Sequence, residues 1–317
     1  MPYFLNAPII SNSFTEVANY KYFVDKSDFI EKVNGNIKTP NKYLCITRPR
    51  RFGKTINAMM LACYYSKNAD FKKLFDELEI SKSKSYLEHL NKHNVIYMTM
   101  NELPKPNCSY EEFIEGYTKD LAEDVVSSYP DVKIDKSKYL PKIFSQVYNE
   151  TNESFIFIID EWDYIFNNNL FSEKDRENFL QFLKDLLKDK PYVELAYMTG
   201  VLPIAKYSSG SALNMFDEYT FLNDMDFDKY FGFTNSETEK LCEKQDKLSI
   251  NELREWYDGY KTQGGHEVYN PRSVAFALRK GVCQSYWTNT GPMDEILYYI
   301  NSDIDNIKND VVQMVSG

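Results

Sequence analysis

Apolar positions along the chain fall into two alternating patterns. Continuous runs of strand length appear at Tyr43-Leu44-Cys45-Ile46, Val95 to Met100, Phe155-Ile156-Phe157-Ile158-Ile159 and Tyr192 to Met198. Unbroken apolar runs of this length suit strands buried on both faces of a parallel sheet. Between them lie stripes at helical spacing: Ile56, Met59, Met60, Cys63 and Tyr64; Tyr110, Phe113, Tyr117, Leu121 and Val125; about Lys138 to Asn149; and Phe179, Leu180, Phe182, Leu183 and Leu186 after Ser172 with Asp175, a helix-start pair. Upstream, Tyr20 to Val24 predicts a short strand, Ser27 a cap for a helix through Phe29, Ile30 and Val33, and Asn34-Gly35-Asn36 a turn. Strands alternating with helices over residues 40–205 predict a three-layer α/β domain with a mostly parallel sheet.

From about Thr234 short helices take over. Thr234 with Glu237 and Ser249 with Glu252 are capping-box pairs, and Asn270-Pro271 puts a cap before a first-turn proline. A boundary near 230 is expected, giving an α/β domain over 1–230 and a smaller helical domain over 231–317.

The 317 residues suffice for one large or two modest domains. A net charge of −10 argues against a surface that coats DNA, so direct nucleic-acid binding is not expected, whereas a local positive site for a nucleotide is compatible with it. The five cysteines are widely spaced with no C-x-x-C pair, which reads as free thiols in a reducing cytoplasm. The start lacks a signal-peptide pattern, and no run approaches the roughly 20 apolar residues of a membrane span. A cytoplasmic protein is expected.

The chemistry concentrates where the first two patterns meet. Arg48-Pro-Arg50-Arg51-Phe52-Gly53-Lys54-Thr55 follows the first strand and opens the next helix. Strand, tight loop, Gly-Lys-Thr and helix are the parts of a P-loop, in which backbone N–H groups and the lysine hold phosphates and the threonine hydroxyl ligates magnesium. Arg48 occupies the position of the pattern's first glycine. Gly-Lys-Ser/Thr alone is weak, and a turn followed by a solvated lysine explains it equally well. Asp160-Glu161 at the end of the third strand strengthens it. Carboxylates at the C-terminal end of a parallel strand lie where open α/β sheets bind ligands. Asp160 would hold Mg²⁺ with Thr55 and Glu161 would activate water; the bland alternative is a strand ending in solvent. Thr199, after the fourth strand, should lie beside Asp160 as a γ-phosphate sensor or a strand-end turn. Arg48, Arg50 and Arg51 either supplement the phosphate cradle or pair with carboxylates such as Asp163. A small-molecule kinase is a rival, and the adjacent Asp160-Glu161 pair favours hydrolysis. His89, His93 and His266 match no metal pattern and read as solvated. Trp256-Tyr257-Asp258-Gly259-Tyr260 reads as a turn flanked by core aromatics.

These stretches, together with Phe23-Val24-Asp25-Lys26, Thr199-Gly200-Val201-Leu202-Pro203-Ile204, Ser211-Ala212-Leu213-Asn214, Tyr230-Phe231-Gly232-Phe233-Thr234, Tyr269-Asn270-Pro271 and Tyr286-Trp287, resemble the bacterial AAA-ATPase-like family, whose members often carry a C-terminal PD-(D/E)XK nuclease-like domain. In that family Arg-Pro-Arg-Arg-Phe-Gly-Lys is the usual P-loop. The resemblance implies an ATP- and Mg²⁺-dependent P-loop NTPase of the RecA-like, additional-strand, catalytic-glutamate type, followed by a helical, winged-helix-like segment. The tail after Tyr286-Trp287 leaves no room for a nuclease fold, so nuclease activity is not expected of these residues. ATP hydrolysis coupled to a protein partner or attached effector, with an oligomer compatible, stands beside a nucleotide-gated module with little turnover. A role in a DNA-acting defence or mobile-element system rests on family analogy alone.

Overall fold

The computed structural model describes residues 2–68, 70–207, 212–221, 223–257 and 260–286. The tail from Trp287, Ser211 and the Asp258-Gly259 turn lie outside the described residues. Contacts divide the chain into two compact units: Met1–Asn19, Asp25–Ile46 and Thr55–Glu218 form the first, while Tyr20–Val24, Thr47–Lys54 and the described residues from Tyr219 onward form the second. The long segment of the second unit starts at Tyr219, and two earlier segments belong to it as well.

In chain order the first unit's elements begin with helices α1 (Ile9–Ala18) and α2 (Phe29–Asn34), strand β1 (Tyr43–Thr47) and helix α3 (Lys54–Tyr65). The short helices α4 (Lys72–Phe75) and α5 (Tyr86–His89) precede strand β2 (Asn94–Thr99), which is followed by α6 (Tyr110–Ser128) and α7 (Leu140–Thr151). Strand β3 (Phe155–Asp160), α8 (Glu173–Leu187), β4 (Val193–Gly200), α9 (Ile204–Tyr207) and β5 (Asp217–Tyr219) complete the set. The five strands form one sheet in the order β2-β3-β4-β1-β5. β3 runs parallel to both β2 and β4, with Thr99 opposite Asp160 and Ile159 opposite Met198. Every residue of β1, β3 and β4 is buried, which explains their unbroken apolar sequence. Phe113, Leu121, Phe144, Phe179 and Leu183 from α6, α7 and α8 pack with Phe157 and Ile159 in the main core. Capping boxes at Ser109/Glu112 and Ser172/Asp175 start α6 and α8.

Two local expectations fail. Tyr20 to Val24 forms a turn, closed by the Phe23 N–H on the Tyr20 carbonyl at 2.9 Å, because no strand edge is paired with it. Ser27 does not cap α2: its hydroxyl accepts the Ile80 N–H at 3.0 Å instead, and Asp28 occupies the cap position with no side-chain bond to the helix start.

The second unit is built on helices α10 (Asn235–Cys242), α11 (Ile250–Tyr257) and α12 (Pro271–Lys280), with the small antiparallel sheet β6-β8-β7 formed by β6 (Phe233–Thr234), β7 (Tyr260–Lys261) and β8 (Glu267–Tyr269). The expected caps hold: Thr234 with Glu237 closes a box, Ser249 exchanges bonds with Glu252, and Asn270 accepts the Ser273 N–H at 3.1 Å ahead of Pro271. Leu241, Leu253, Tyr269, Val274 and Leu278 form its core. Trp256, expected to pack, is 51% exposed, while its neighbour Tyr257 is buried; Tyr257 shares the face of Leu253, four residues back, and the turn of about 100° per residue carries Trp256 off it.

Candidate nucleotide site

The loop between β1 and α3 carries two left-handed residues, Arg51 at φ 71° and Gly53 at φ 89°. Left-handed residues in a tight loop are the backbone form from which anion-binding nests are built. Gly53 supplies one without strain; at Arg51 the conformation has an energetic cost. Lys54 is the first residue of α3 and is buried, its ammonium donating to the Arg48 carbonyl at 2.8 Å and the Pro49 carbonyl at 3.0 Å. The lysine thus bridges the turns of its own loop. Thr55 is exposed at the helix start.

Arg48 is committed elsewhere. Its guanidinium is buried, paired with the Asp224 carboxylate, bonded to the carbonyls of Thr47 (2.8 Å) and Tyr219 (2.7 Å), and lies 5.0 Å from the Phe231 ring centre. Asp224 also accepts the N–H groups of Asp226 and Phe227, both at 2.8 Å. Burial pushes the Asp224 carboxyl above its ordinary value, against the lowering pull of the Arg48 charge. Phe52 packs its ring against Phe221 and Tyr260, and its carbonyl accepts the Gly232 N–H at 3.1 Å. Arg51 is held below its ordinary value by burial first, then by the charges of Arg272 and Arg50.

In the first unit, the ends of β3 and β4 bring Asp160, Glu161 and Thr199 together. The Thr199 hydroxyl donates to Asp160 Oδ1 and, at 3.4 Å, takes the Glu161 N–H. Asp160 is 1% exposed, and its second oxygen carries no hydrogen bond among the described residues. A carboxylate oxygen at a strand end with no protein donor of its own is available to a cation. Glu161 stands at φ 52°, a left-handed strain for a glutamate, at the point where the chain leaves the sheet. Its Oε2 accepts from Asn101 Nδ2 at 2.8 Å, while Asn101 Oδ1 takes the Thr99 hydroxyl at 3.0 Å, which fixes the amide. Thr199 lies within β4, so its hydroxyl is strand-positioned and not part of a turn.

The residues expected at the site divide between the units: Arg48, Arg50, Arg51, Phe52, Gly53 and Lys54 in the second, and Thr55, Asp160, Glu161 and Thr199 in the first. Sequence reasoning missed two contributors. Asn101 could have been sought as the polar residue just past β2, the strand next to β3; Asp224 lies far from the loop in irregular chain and gives no sequence signal. Asp163, weighed as an arginine partner, accepts the N–H groups of Val201 (2.8 Å) and Leu202 (3.3 Å).

His266 is exposed as expected, whereas the other two histidines depart from expectation. His89 and His93 side chains are only 14% and 11% exposed. Their rings stack and bond at 3.0 Å, and His93 Nδ1 meets the buried Glu194 carboxylate at 2.8 Å. Among the described residues no group of three His, Cys, Asp or Glu side chains is arranged to hold a metal. Magnesium between a threonine, one aspartate, phosphates and water does not need one. No described helix is long and apolar enough to cross a membrane.

A family model described as "Predicted AAA-ATPase" matches residues 8–209, more than half of the chain. The chain belongs to this predicted AAA-ATPase family. Its P-loop and mostly parallel sheet are those of a nucleotide-binding ATPase fold. A search of curated proteins gives no match. Among solved structures, Aeropyrum pernix ORC2 in ADPNP–ADP complexes is similar at 11% identity and TM-score 0.39, over 84% of this chain and 61% of that one. Aeropyrum pernix ORC1 in complex with DNA gives 11% and 0.39, over 92% and 77%. Drosophila ORC bound to GC-rich DNA and Cdc6 gives 8% and 0.38, over 74% and 32%. The chain spans less than two thirds of the first and third of these.

Proposed function

We propose that this chain binds ATP with Mg²⁺ and hydrolyses it, passing the nucleotide state to a partner protein or attached effector. The observation that supports it most is the Asp160–Thr199–Glu161–Asn101 set at the strand ends, in a chain whose β1–α3 loop carries Gly53-Lys54-Thr55. Gly53 and the backbone of Arg50 to Phe52 would cradle phosphate, and Lys54 would exchange loop carbonyls for the outer phosphates. Thr55 and the unclaimed oxygen of Asp160 would hold Mg²⁺, which supplies charge neutralisation for the phosphates. Asn101 holds the Glu161 carboxylate, which would take the proton of the attacking water. Thr199 would sense the γ-phosphate while fixing Asp160. Arg48 would act on the loop's shape, since its charge is already paired with Asp224.

The test compares wild type with Lys54→Ala and Glu161→Gln in equilibrium ATP binding and single-turnover hydrolysis, with and without Mg²⁺. Lys54→Ala should lose binding. Glu161→Gln should bind ATP and turn it over at least about 100-fold more slowly, the size of a general-base contribution. Wild-type hydrolysis no faster than either variant would end the hydrolase reading. It would leave the second reading, a nucleotide-gated module with little turnover, which the lysine's engagement with its own loop carbonyls favours.

A further inference from the structure

One face of α12 is a strip of cations organised around aromatic rings. Arg272, Phe276, Arg279 and Lys280 stand at i, i+4, i+7 and i+8, while Ser273, Val274, Ala277 and Leu278 fill the buried face. The guanidinium carbons of Arg272 and Arg279 lie 4.9 and 4.4 Å from the Phe276 ring centre, and the Lys280 ammonium lies 5.9 Å away. Lys280 also reaches the Tyr286 ring at 5.1 Å, and that ring stands 5.8 Å from Phe276. Arg272, Arg279 and Lys280 are exposed. None of the three, nor Arg51, has an ion pair with a carboxylate among the described residues, in a chain holding 47 Asp and Glu against 37 Lys and Arg.

The ordinary explanation covers only part of this. Cations in a last helical turn are favoured by the helix dipole, which accounts for Arg279 and Lys280. Arg272 stands in the first turn, where the dipole disfavours a cation, and close enough to Arg51 for the two charges to repel. An exposed cationic row interleaved with aromatic rings, without carboxylates to neutralise it, matches how proteins track single-stranded nucleic acid. Phosphates supply the missing negative charge, while the Phe276 ring, flanked by Arg272 and Arg279, holds the cations in a row.

We propose that the α12 strip, Arg272, Arg279 and Lys280 with Phe276 and Tyr286, binds the phosphate backbone of single-stranded nucleic acid, with Arg51 extending its positive field. The chain's net charge of −10 weighs against a surface that coats duplex DNA; it does not weigh against a strip one helix long. Four cations on phosphates give an expected slope of log affinity against log salt of about −3 at most.

The experiment measures fluorescence anisotropy of a labelled 30-nucleotide oligo-dT against the full chain from 25 to 200 mM salt. Arg279→Ala/Lys280→Ala, which avoids the nucleotide site, is run in parallel. The expected result is salt-sensitive binding by wild type and a drop of about tenfold in the double variant, with the salt slope cut by about half. ATP affinity and thermal melting of that variant should be unchanged. No salt-dependent binding by wild type, or equal binding by the double variant, overturns the proposal. Tighter binding of polyglutamate than of the oligonucleotide at equal charge would assign the strip to an acidic protein and also overturn it. Lys54→Ala should keep oligonucleotide binding, so loss of the nucleotide reading and loss of this one are separable.

Discussion

Arg48→Met is the substitution that separates loop architecture from phosphate chemistry. The side chain sits almost wholly buried, with Asp224, two carbonyls and the Phe231 ring as its surroundings. Methionine refills most of the volume but leaves the Asp224 carboxylate buried without its counter-charge. Removing one member of such a pair costs about 3–5 kcal/mol, a large share of the roughly 5–15 kcal/mol that stabilises a typical domain. Melting should fall by about 10 °C. The pH dependence has a definite sign. Asp224 is already raised in the folded protein by burial, and losing Arg48 raises it further. A raised carboxyl favours the folded state only while protonated, so its contribution is present below the unfolded value of 3.8 and lost as pH rises through the folded one. The loss in Arg48→Met should therefore be smaller near pH 5 than at pH 7. Arg48→Met/Asp224→Leu should recover at least half of it, because an apolar pair replaces the orphaned charge. Urea unfolding followed by tryptophan fluorescence at both pH values measures all three. If Arg48→Met lies within about 1 kcal/mol of wild type while ATP affinity falls more than tenfold, the arginine works on phosphate and the architectural account is wrong.

Gly200→Ala should cost about 1–3 kcal/mol in a denaturant melt, because the new Cβ would lie 2.6 Å from Trp162 Nε1 and 3.2 Å from the Asp163 carboxyl carbon in a fully buried strand end. Glu161→Gly should leave stability unchanged or raise it by up to about 1 kcal/mol by relieving the left-handed strain while abolishing turnover; a clear loss of stability would show that the glutamate is there for structure. His93→Leu should cost about 1.5–3 kcal/mol at neutral pH by stripping Glu194 of its partner. Burial alone would raise Glu194, but the His93 bond and charge, with Lys38, hold it below 4.5. That stability is present above the unfolded value and lost as pH falls through the folded one, so wild type should weaken in acid and the variant show a flatter acid limb in the same melts.

What could be read from sequence followed how local the determining physics was. β3 is legible because six consecutive residues need burial on both faces, and such a run has few other fates. The caps of α8, α10, α11 and α12 are legible because donor and acceptor lie three residues apart. Thr199 beside Asp160 followed from the parallel pairing of β3 and β4, and the register bears it out. Long-range pairing was not legible. His89 and His93 read as solvated since nothing near them in sequence announces Glu194, which approaches from 101 positions beyond His93. Arg48 read as a member of the phosphate cradle, for its partner lies 176 positions away in irregular chain. The same limit explains Asn101, whose amide matters only because β2 and β3 are neighbours. A charge in a motif can therefore be assigned to a ligand only after its carboxylate partners are known. By that criterion Arg48 is the weaker candidate for phosphate contact, and Arg51, with no carboxylate ion pair among the described residues, is the stronger one.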